Sequence, residues 1–274
     1  MAISQFLRYP YATIFDGRGR LYVSDVMNYR ILRVDLDGYV TTIAGNGTSG
    51  TDSDGIRALD ASISCISSIS VDDVRQRIFL ADSCAHRILL VQHDGSLVSV
   101  AGTAGLEEKE ESRAEDTDQD GRADVYAPSR LAKPSSVVVD PADGSLYVAE
   151  HTGHQIRQIF LPDGLLHAGN DGSAKSDWAA GPLCEGAGAE CPLCAPDRGC
   201  AAPMSKVVAG NGVAGFFADG VAVEVSVVAP SHLALNNEGH LYVLESGSGY
   251  IRELDKSSPR KISTIAGRKS PAAP

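Results

Sequence analysis

The sequence lacks the features that place a chain in or across a membrane. Residues 1–20 contain no basic stretch followed by an apolar core of about 7–15 residues, and no later segment approaches about 18 uninterrupted apolar residues. We therefore expect no membrane span, and no secretion signal is visible. The expected location is the cytoplasm by default, or an extracellular space if the chain is an excised domain.

Basic residues are also too few for a nucleic-acid-binding surface. The chain has 24 lysines and arginines against 35 aspartates and glutamates, which gives a net charge of −11. Such a surface repels phosphate backbones and gains little from counterion release. We expect no nucleic acid among the partners of this protein.

Methionine is scarce and glycine is abundant, with 3 methionines and 28 glycines in 274 residues. Glycine supplies the positive φ angles that tight turns require, so this composition favours many short strands over helices. The usual catalytic motifs are missing as well. No Gly-x-Ser-x-Gly elbow, Walker loop, His-Glu-x-x-His helix or dinucleotide fingerprint is present.

What the sequence does contain is a repeat of an apolar triplet that ends in a carboxylate. A second apolar segment precedes each copy, usually after proline, and an Arg-Ile or similar pair and an Ala-Gly pair follow it. Self-similarity of this kind is typical of repeat architectures. The four copies are Leu21–Asp25, Ile78–Asp82, Leu146–Glu150 and Leu241–Glu245. Asp-Gly pairs such as Asp37-Gly38 supply hairpin turns, so each repeat predicts a four-stranded antiparallel meander.

Sheets that are apolar on both faces bury those faces when they stack radially, which indicates a β-propeller. The order Pro-x-x-apolar strand-Asp, Gly-x-Leu-Tyr-Val-Ala-Asp, Arg-Ile, Asp-Gly, Ala-Gly-Asn-Gly resembles the NHL-repeat family of propellers over nearly the whole chain. We therefore predict an all-β, single-domain protein, residues 1–274, with four four-stranded antiparallel blades. The four predicted blades span about residues 10–45, 66–102, 134–210 and 230–267. The four blades form either a small closed ring or an incomplete arc of a larger propeller, and an arc would self-associate through its end faces.

An acidic insertion, residues 106–124, separates the second and third predicted blades and holds nine carboxylates. Its spacing is similar to an EF-hand loop with Gly121 at the turn position, but Ala127 stands where the last bidentate ligand belongs. Two interpretations stay open, a calcium site and a solvated acidic turn. The candidate calcium ligands are Asp116, Asp118, Asp120 and Asp124.

A cysteine-rich insertion, residues 165–205, interrupts the third predicted blade. It is poor in large apolar groups, so crosslinks or a metal would have to give it shape. Disulfides, free thiols and a zinc site are three open interpretations. Its cysteines are Cys184, Cys191, Cys194 and Cys200. Cys65 and Cys84 lie at a strand start and a turn, and we expect both to be packing residues.

The resemblance implies a possible metal site in the central channel, because related propellers include lyases and lactonases that hold a metal there. The matching inner-strand candidates are His232, Asp72, Asp140 and Asn236. One histidine is short of the three protein ligands that a catalytic zinc needs. The repeated carboxylates at the strand ends form either an acidic ring or, as we expect, bonds to local backbone and to arginines such as Arg30 and Arg87. His151 and His154 stand in a turn and are expected to be exposed.

These observations predict a non-catalytic protein-interaction or scaffold module that binds a protein or peptide through its loops and faces. No cofactor is expected, with calcium or zinc as the alternatives. The runner-up is a metal-dependent propeller lyase or hydrolase that uses the central channel. A calcium-stabilised extracellular domain is a third hypothesis.

Overall fold

A computed structural model describes residues 6–51, 55–102, 131–161, 194–195, 199–200, 204–215 and 218–267. Within these ranges the chain consists of antiparallel β-sheets, with one short 3-10 turn at Val26–Asn28. No helix in the described ranges has the length and apolar character needed to cross a membrane. The acidic insertion and most of the cysteine-rich insertion lie outside the described residues.

Four of the sheets are meanders in which consecutive strands pair with each other. The first comprises β1 (Pro10–Phe15), β2 (Leu21–Asp25), β3 (Arg30–Val34) and β4 (Val40–Ala44). The second comprises β5 (Ile56–Arg57), β6 (Ile66–Asp72), β7 (Arg77–Asp82), β8 (Arg87–Val91) and β9 (Ser96–Ala101). The third comprises β10 (Pro134–Val139), β11 (Leu146–Glu150), β12 (Gln155–Phe160) and β15 (Met204–Ala209). The fourth comprises β16 (Gly220–Val221), β17 (Pro230–Leu235), β18 (Leu241–Glu245), β19 (Tyr250–Leu254) and β20 (Lys261–Ala266).

Two sheets therefore have a fifth strand that the repeat does not predict. Strands β5 and β16 belong to the connectors that arrive from the preceding sheet, and they pair with the outermost strands β9 and β20. Each connector thus adds an edge strand to the sheet that it leads into. A separate two-stranded hairpin, β13 (Cys194–Ala195) with β14 (Gly199–Cys200), lies within the cysteine-rich insertion.

The four meanders are the blades of a β-propeller, which confirms the predicted fold class. Their inner strands β1, β6, β10 and β17 pack against each other in that order. Three apolar clusters fill the three junctions between consecutive blades. Among the described strands, no packing of comparable extent joins β17 back to β1.

The repeated Ala-Gly pair marks the point where the chain leaves the outermost strand of a blade. Gly45, Gly102 and Gly210 all have positive φ, and a Cβ at any of them would collide with a backbone carbonyl, that of Tyr29, His86 or His154 respectively. Both the left-handed conformation and the close approach require glycine. The glycine of the Ala-Gly pair therefore allows the end of the outermost strand to pack closely against the turn before the third strand.

Candidate functional site

A buried ion pair connects the second and third strands in every blade. In each pair the carboxylate that ends the second strand meets an arginine on the third strand. The pairs are Asp25–Arg30 at 2.8 Å, Asp82–Arg87 at 3.3 Å, Glu150–Arg157 at 2.7 Å and Glu245–Arg252 at 3.4 Å. The four carboxylate residues are at most 2 % exposed. These groups are therefore neutralised inside the blades.

The four pairs use two different spacings. When the carboxylate is aspartate, the arginine follows 5 residues later, as in Asp82 and Arg87. When it is glutamate, the arginine follows 7 residues later, as in Glu150 and Arg157. The longer glutamate side chain reaches an arginine that lies two residues further along β12. The length of the acid and the position of the base thus compensate each other.

The same carboxylates also hold the segments that lead into the inner strands. Backbone N–H groups of Arg8, Cys65, Ala132 and Val228 donate to Asp25, Asp82, Glu150 and Glu245. Arg87 and Arg252 in turn donate to carbonyls of the incoming connectors, those of Thr51 and Ala218. The expectation that these carboxylates bind backbone and arginine is confirmed, so they serve the fold.

The burial of these carboxylates affects their protonation. Burial raises the pKa of the Asp82 carboxyl, while the facing Arg87 guanidinium and the N–H groups of Ser64 and Cys65 act in the opposite direction. At the end of β1, burial also acts to raise the pKa of Asp16. Hydrogen bonds from Arg20 and Arg18 outweigh that effect, and the pKa of Asp16 lies below its ordinary value.

Three of the four channel candidates have local hydrogen-bond partners of their own. Asp72 is 1 % exposed and binds Arg77 at 2.6 Å. Asp140 accepts the backbone N–H of Ala142, and Asn236 accepts those of Glu238 and His240, so both close the turn after an inner strand. His232 is exposed on β17. Within the described ranges, no group of three or more histidine, cysteine or acidic side chains is arranged to hold a metal ion.

The candidate calcium residues Asp116, Asp118, Asp120 and Asp124 lie outside the described residues. So do Cys184 and Cys191. Cys194 and Cys200 stand opposite each other in the register of β13 and β14. The interpretations of both insertions remain predictions.

Cys65 and Cys84 form a disulfide, with their Cα atoms 5.2 Å apart. The expectation that they are packing residues is wrong. Cys65 leads into β6 and Cys84 lies in the turn between β7 and β8, so the bond ties the two strand ends together beside Asp82. At the corresponding position before the inner strand the other blades have Tyr9, Lys133 and Ala229, each with positive φ and each followed by proline. The second blade has neither feature, and the disulfide holds this segment instead.

Two of the three blade junctions are also joined by serine side chains of the inner strands. Ser67 Oγ donates to Pro134 O at 3.2 Å, and Ser135 Oγ donates to Pro230 O at 2.7 Å. One residue further on, Ser68 accepts the N–H of Val137 at 3.2 Å. Ser136 accepts the N–H of Leu233 at 3.1 Å. His232 occupies the position of Ser68 and Ser136 in the fourth blade.

Histidine side chains add hydrogen bonds at two of these junctions. His86 Nδ1 accepts the N–H of Lys133, and His154 Nδ1 accepts the N–H of Ala229 at 3.0 Å. His151 lies 3.4 Å from Pro230 O. His151 and His154 are therefore half-buried between blades, where exposure was expected. Burial, followed by the nearby His151, lowers the pKa of His154.

We call the surface that a blade turns toward its successor the leading face, and the opposite surface the trailing face. On the leading faces of the first three blades, Ile31, Ile88 and Ile156 are all 0 % exposed. The equivalent Ile251 in the fourth blade is 37 % exposed. Within the described residues the leading face of the fourth blade is thus less covered than its equivalents, and we call it the free face. It comprises His232, Ala234, Tyr242, Leu244, Ile251 and Ile265.

The free face carries a large side chain, Leu244, where the other leading faces have small ones. Ser24, Ala81 and Ala149 are small and fully buried at the position where the fourth blade carries Leu244, which is 40 % exposed. A polar rim borders this apolar surface, because His240 Nδ1 lies 2.7 Å from Glu253 and Tyr242 donates to the same carboxylate at 3.3 Å. The surface combines an apolar centre with an acidic edge.

On the first blade, the trailing face exposes its inner strand. Tyr11 is 52 % and Phe15 is 66 % exposed, and Thr13 between them is exposed. The outer part of this face is covered, since Val23 and Leu32 are buried. Sequence reasoning foresaw uncovered end faces for an arc but identified none of these residues. The sequence feature that could have identified the exposed face of the fourth blade is Leu244, a large residue where the other repeats have serine or alanine.

The comparisons with known proteins agree with the fold and leave the family open. No family model matches the chain. A similar curated protein is SUPPRESSOR OF QUENCHING 1, chloroplastic, of Arabidopsis thaliana, which is 26 % identical over 89 % of this chain. The chain spans 25 % of the length of that relative.

Solved structures resemble the chain at low identity. An auxiliary nutrient binding protein from Bacteroides ovatus matches 97 % of this chain and 49 % of its own, with a TM-score of 0.55 and 12 % identity. A virginiamycin B lyase from Staphylococcus aureus matches 93 % of this chain and 55 % of its own, with a TM-score of 0.47 and 13 % identity. Likeness at these identities shows the fold alone. The chain spans about half the length of these two structures.

Proposed function

We propose that this chain is a non-catalytic protein-binding or scaffold module of the NHL-repeat β-propeller type, and that the free face binds its protein partner. The observation that carries the proposal is the exposure of Ile251, whose equivalents in the other three blades are fully buried. Loss of water contact from such a surface favours association by roughly 25 cal/mol per Å² of apolar area. Contiguous apolar surface with a polar rim is typical of protein interaction sites.

The chemistry of the free face also limits the kind of partner. Leu244, Ile251 and Ile265 call for an apolar protein surface, and Glu253 at the rim disfavours an acidic one. A nucleic acid would meet a chain of net charge −11 and an apolar patch without cationic side chains. A folded protein or a peptide that adds apolar side chains fits these features.

The catalytic alternative, a metal-dependent lyase or hydrolase, would require His232, Asp72, Asp140 or Asn236 to reach a common metal. Asp72 is engaged by Arg77, while Asp140 and Asn236 accept turn amides. Those bonds support a turn-forming role for the three residues. Elemental analysis of the purified protein separates the alternatives, because stoichiometric zinc or calcium would favour the enzyme.

The proposed function is tested by partner capture with matched variants. Leu244→Glu and Ile251→Glu place charges on the free face, and Val74→Glu places the same charge on an exposed turn, where Val74 is 71 % exposed. We expect crosslinked partners of the wild type and of Val74→Glu to be the same, and to be lost from both free-face variants. Capture that is unchanged in the free-face variants would overturn the assignment of the binding surface.

A further inference from the structure

We propose that the partner seated on the free face is a second copy of this chain, which docks through the trailing face of its first blade. This proposal rests on the proposed function and names the partner. Each copy carries one free face and one exposed trailing face, so two copies can satisfy each other in a closed two-fold pair. The surfaces involved are the same types of surface that already meet three times within one chain.

The first argument is the repeated hydrogen bond between inner strands. Ser67 and Ser135 each contact a carbonyl of their own blade and also the carbonyl of the proline that begins the next inner strand. Ser231 occupies the same position in the fourth blade and contacts Leu244 O of its own blade at 3.1 Å. Pro10, at the start of β1, is the equivalent of Pro134 and Pro230 and is exposed. The Pro10 carbonyl of a second copy would complete the pattern at Ser231.

The second argument is the distribution of side-chain volume across the junctions. In two internal junctions a small residue of the leading face shares an apolar cluster with a large aliphatic residue of the next inner strand. The pairs are Ala81 with Val137 and Ala149 with Leu233, and Ser24 is the small residue at the same position of the first blade. In the proposed junction the large residue is Leu244 and its counterpart is Thr13. The sizes are exchanged and the combined volume is similar, which is the kind of change that packed interiors tolerate.

This reversal distinguishes a second copy from an ordinary blade. A blade with isoleucine, valine or leucine at the position of Thr13 would meet Leu244 with excess volume, and overpacking of this kind is destabilising. The first blade of this chain carries threonine there, and Thr13 is exposed. The partner surface that suits Leu244 is therefore present in the chain itself.

The test is the molar mass in solution, measured by light scattering across a dilution series. One chain has a mass of 28.8 kDa, and we expect wild-type protein to have twice that mass at micromolar concentration. Leu244→Ala removes apolar volume from both junctions of the pair. We expect it to raise the dissociation constant about tenfold per junction, or about a hundredfold in total, since tenfold corresponds to 1.4 kcal/mol.

A restoring variant makes the test specific for the proposed contact. Thr13→Leu alone overfills the junction and weakens the pair, whereas Thr13→Leu combined with Leu244→Ala recreates the arrangement of Ala149 and Leu233. We expect the double variant to dissociate at least about tenfold less readily than Leu244→Ala. Val74→Ala is the control, and it leaves the dissociation constant unchanged.

The possible results separate this proposal from the proposed function. Wild-type protein that stays at the mass of one chain throughout the series overturns the second-copy proposal, and so does a pair whose stability is insensitive to both positions. If such a monomer still captures another protein in a way that Leu244→Glu abolishes, the proposed function stands alone. A pair that dissociates in Leu244→Ala and recovers in the double variant supports both.

Discussion

Ser136 Oγ accepts a hydrogen bond from the backbone N–H of Leu233 at 3.1 Å, although 97 residues of chain separate the two. The same bond joins Ser68 to Val137 one blade earlier. Repetition of this contact shows that the second, third and fourth blades meet in the same way. The fourth blade ends the series with His232 and a leading face that nothing in the described chain covers to the same extent.

The glycine of the Ala-Gly pair is predicted to be indispensable. Gly102→Ala forces a left-handed conformation on alanine and drives its Cβ into the carbonyl of His86. We expect a loss of more than about 2 kcal/mol in the free energy of unfolding, measured with urea. Gly95→Ala is the matched control, because Gly95 also has positive φ but has nothing within 4 Å of the added Cβ. A loss of only about 1 kcal/mol is expected there, and equal losses in both variants would refute the role of the close contact.

The spacing rule of the buried ion pairs can be tested by moving the arginine. Arg157→Leu strands the Glu150 carboxylate inside the third blade, and we expect a loss of about 3–5 kcal/mol. A triple variant, Glu150→Asp with Gln155→Arg and Arg157→Leu, installs the arrangement of Asp82, Arg87 and Leu89. It should recover most of that stability in the same urea titration.

Arg57→Leu serves as the control for this series, because the Arg57–Asp60 pair is 73 % and 63 % exposed. An exposed pair of this kind contributes little to stability. If the triple variant were no more stable than Arg157→Leu, acid length and arginine position would not compensate each other.

The disulfide should stabilise the second blade by restricting the unfolded chain. Cys65 and Cys84 are separated by 19 residues, and closing a loop of that size is worth roughly 3 kcal/mol in the chain-entropy account. The Cys65→Ser, Cys84→Ser variant should unfold at lower urea than the oxidised wild type. Peptide mapping without reductant should recover the two cysteines linked. Separate, unlinked peptides from the untreated native protein would contradict this pairing.

Acidification is predicted to weaken the junction between the third and fourth blades. The Nδ1 atom of His154 accepts a hydrogen bond from Ala229, so the native state favours the neutral ring and the pKa is lowered by burial. The unfolded chain binds the proton more readily, with a pKa of about 6.5, so stability falls as the pH drops below that value. His154→Gln keeps an acceptor without titrating, and its unfolding free energy should vary less between about pH 7.5 and pH 5.5.

The exposed His93 supplies the control for the pH series. His93→Gln should retain the pH dependence of the wild type. A wild-type slope that survives unchanged in His154→Gln would show that another group is responsible.

Much of the architecture was predictable from the sequence because the same residue pattern recurs in each blade. The carboxylate that ends each second strand and the Ala-Gly pair that ends each outer strand recur with their structural reasons, as Glu150 and Gly210 illustrate. The edge strands β5 and β16 were not predictable, since two residues such as Ile56–Arg57 become a strand only when a neighbouring sheet edge is present.

Other features that were not predicted from the sequence also depend on contacts between segments that are distant in the chain. The bond between Cys65 and Cys84 depends on two turns that meet in space, and sequence spacing does not show this. The half-buried state of His154 follows from the approach of Ala229 in the next blade. The aspartate pairs of Arg30 and Arg87 were predictable from the sequence, whereas the glutamate pairs of Arg157 and Arg252 with their longer spacing were not predicted. The exposure of Ile251 could not be read from a repeat whose other three copies are buried.

The most direct test of the account is site-resolved thiol labelling of cysteines placed at equivalent positions, Ile156→Cys and Ile251→Cys, in a Thr13→Arg background that blocks pairing through the first blade. Mass spectrometry of the labelled peptides reports the accessibility of each position in the folded monomer. The account predicts rapid labelling at position 251 and protection at position 156. Equal protection at both positions would contradict it, because the fourth blade would then have a covered leading face within a single chain.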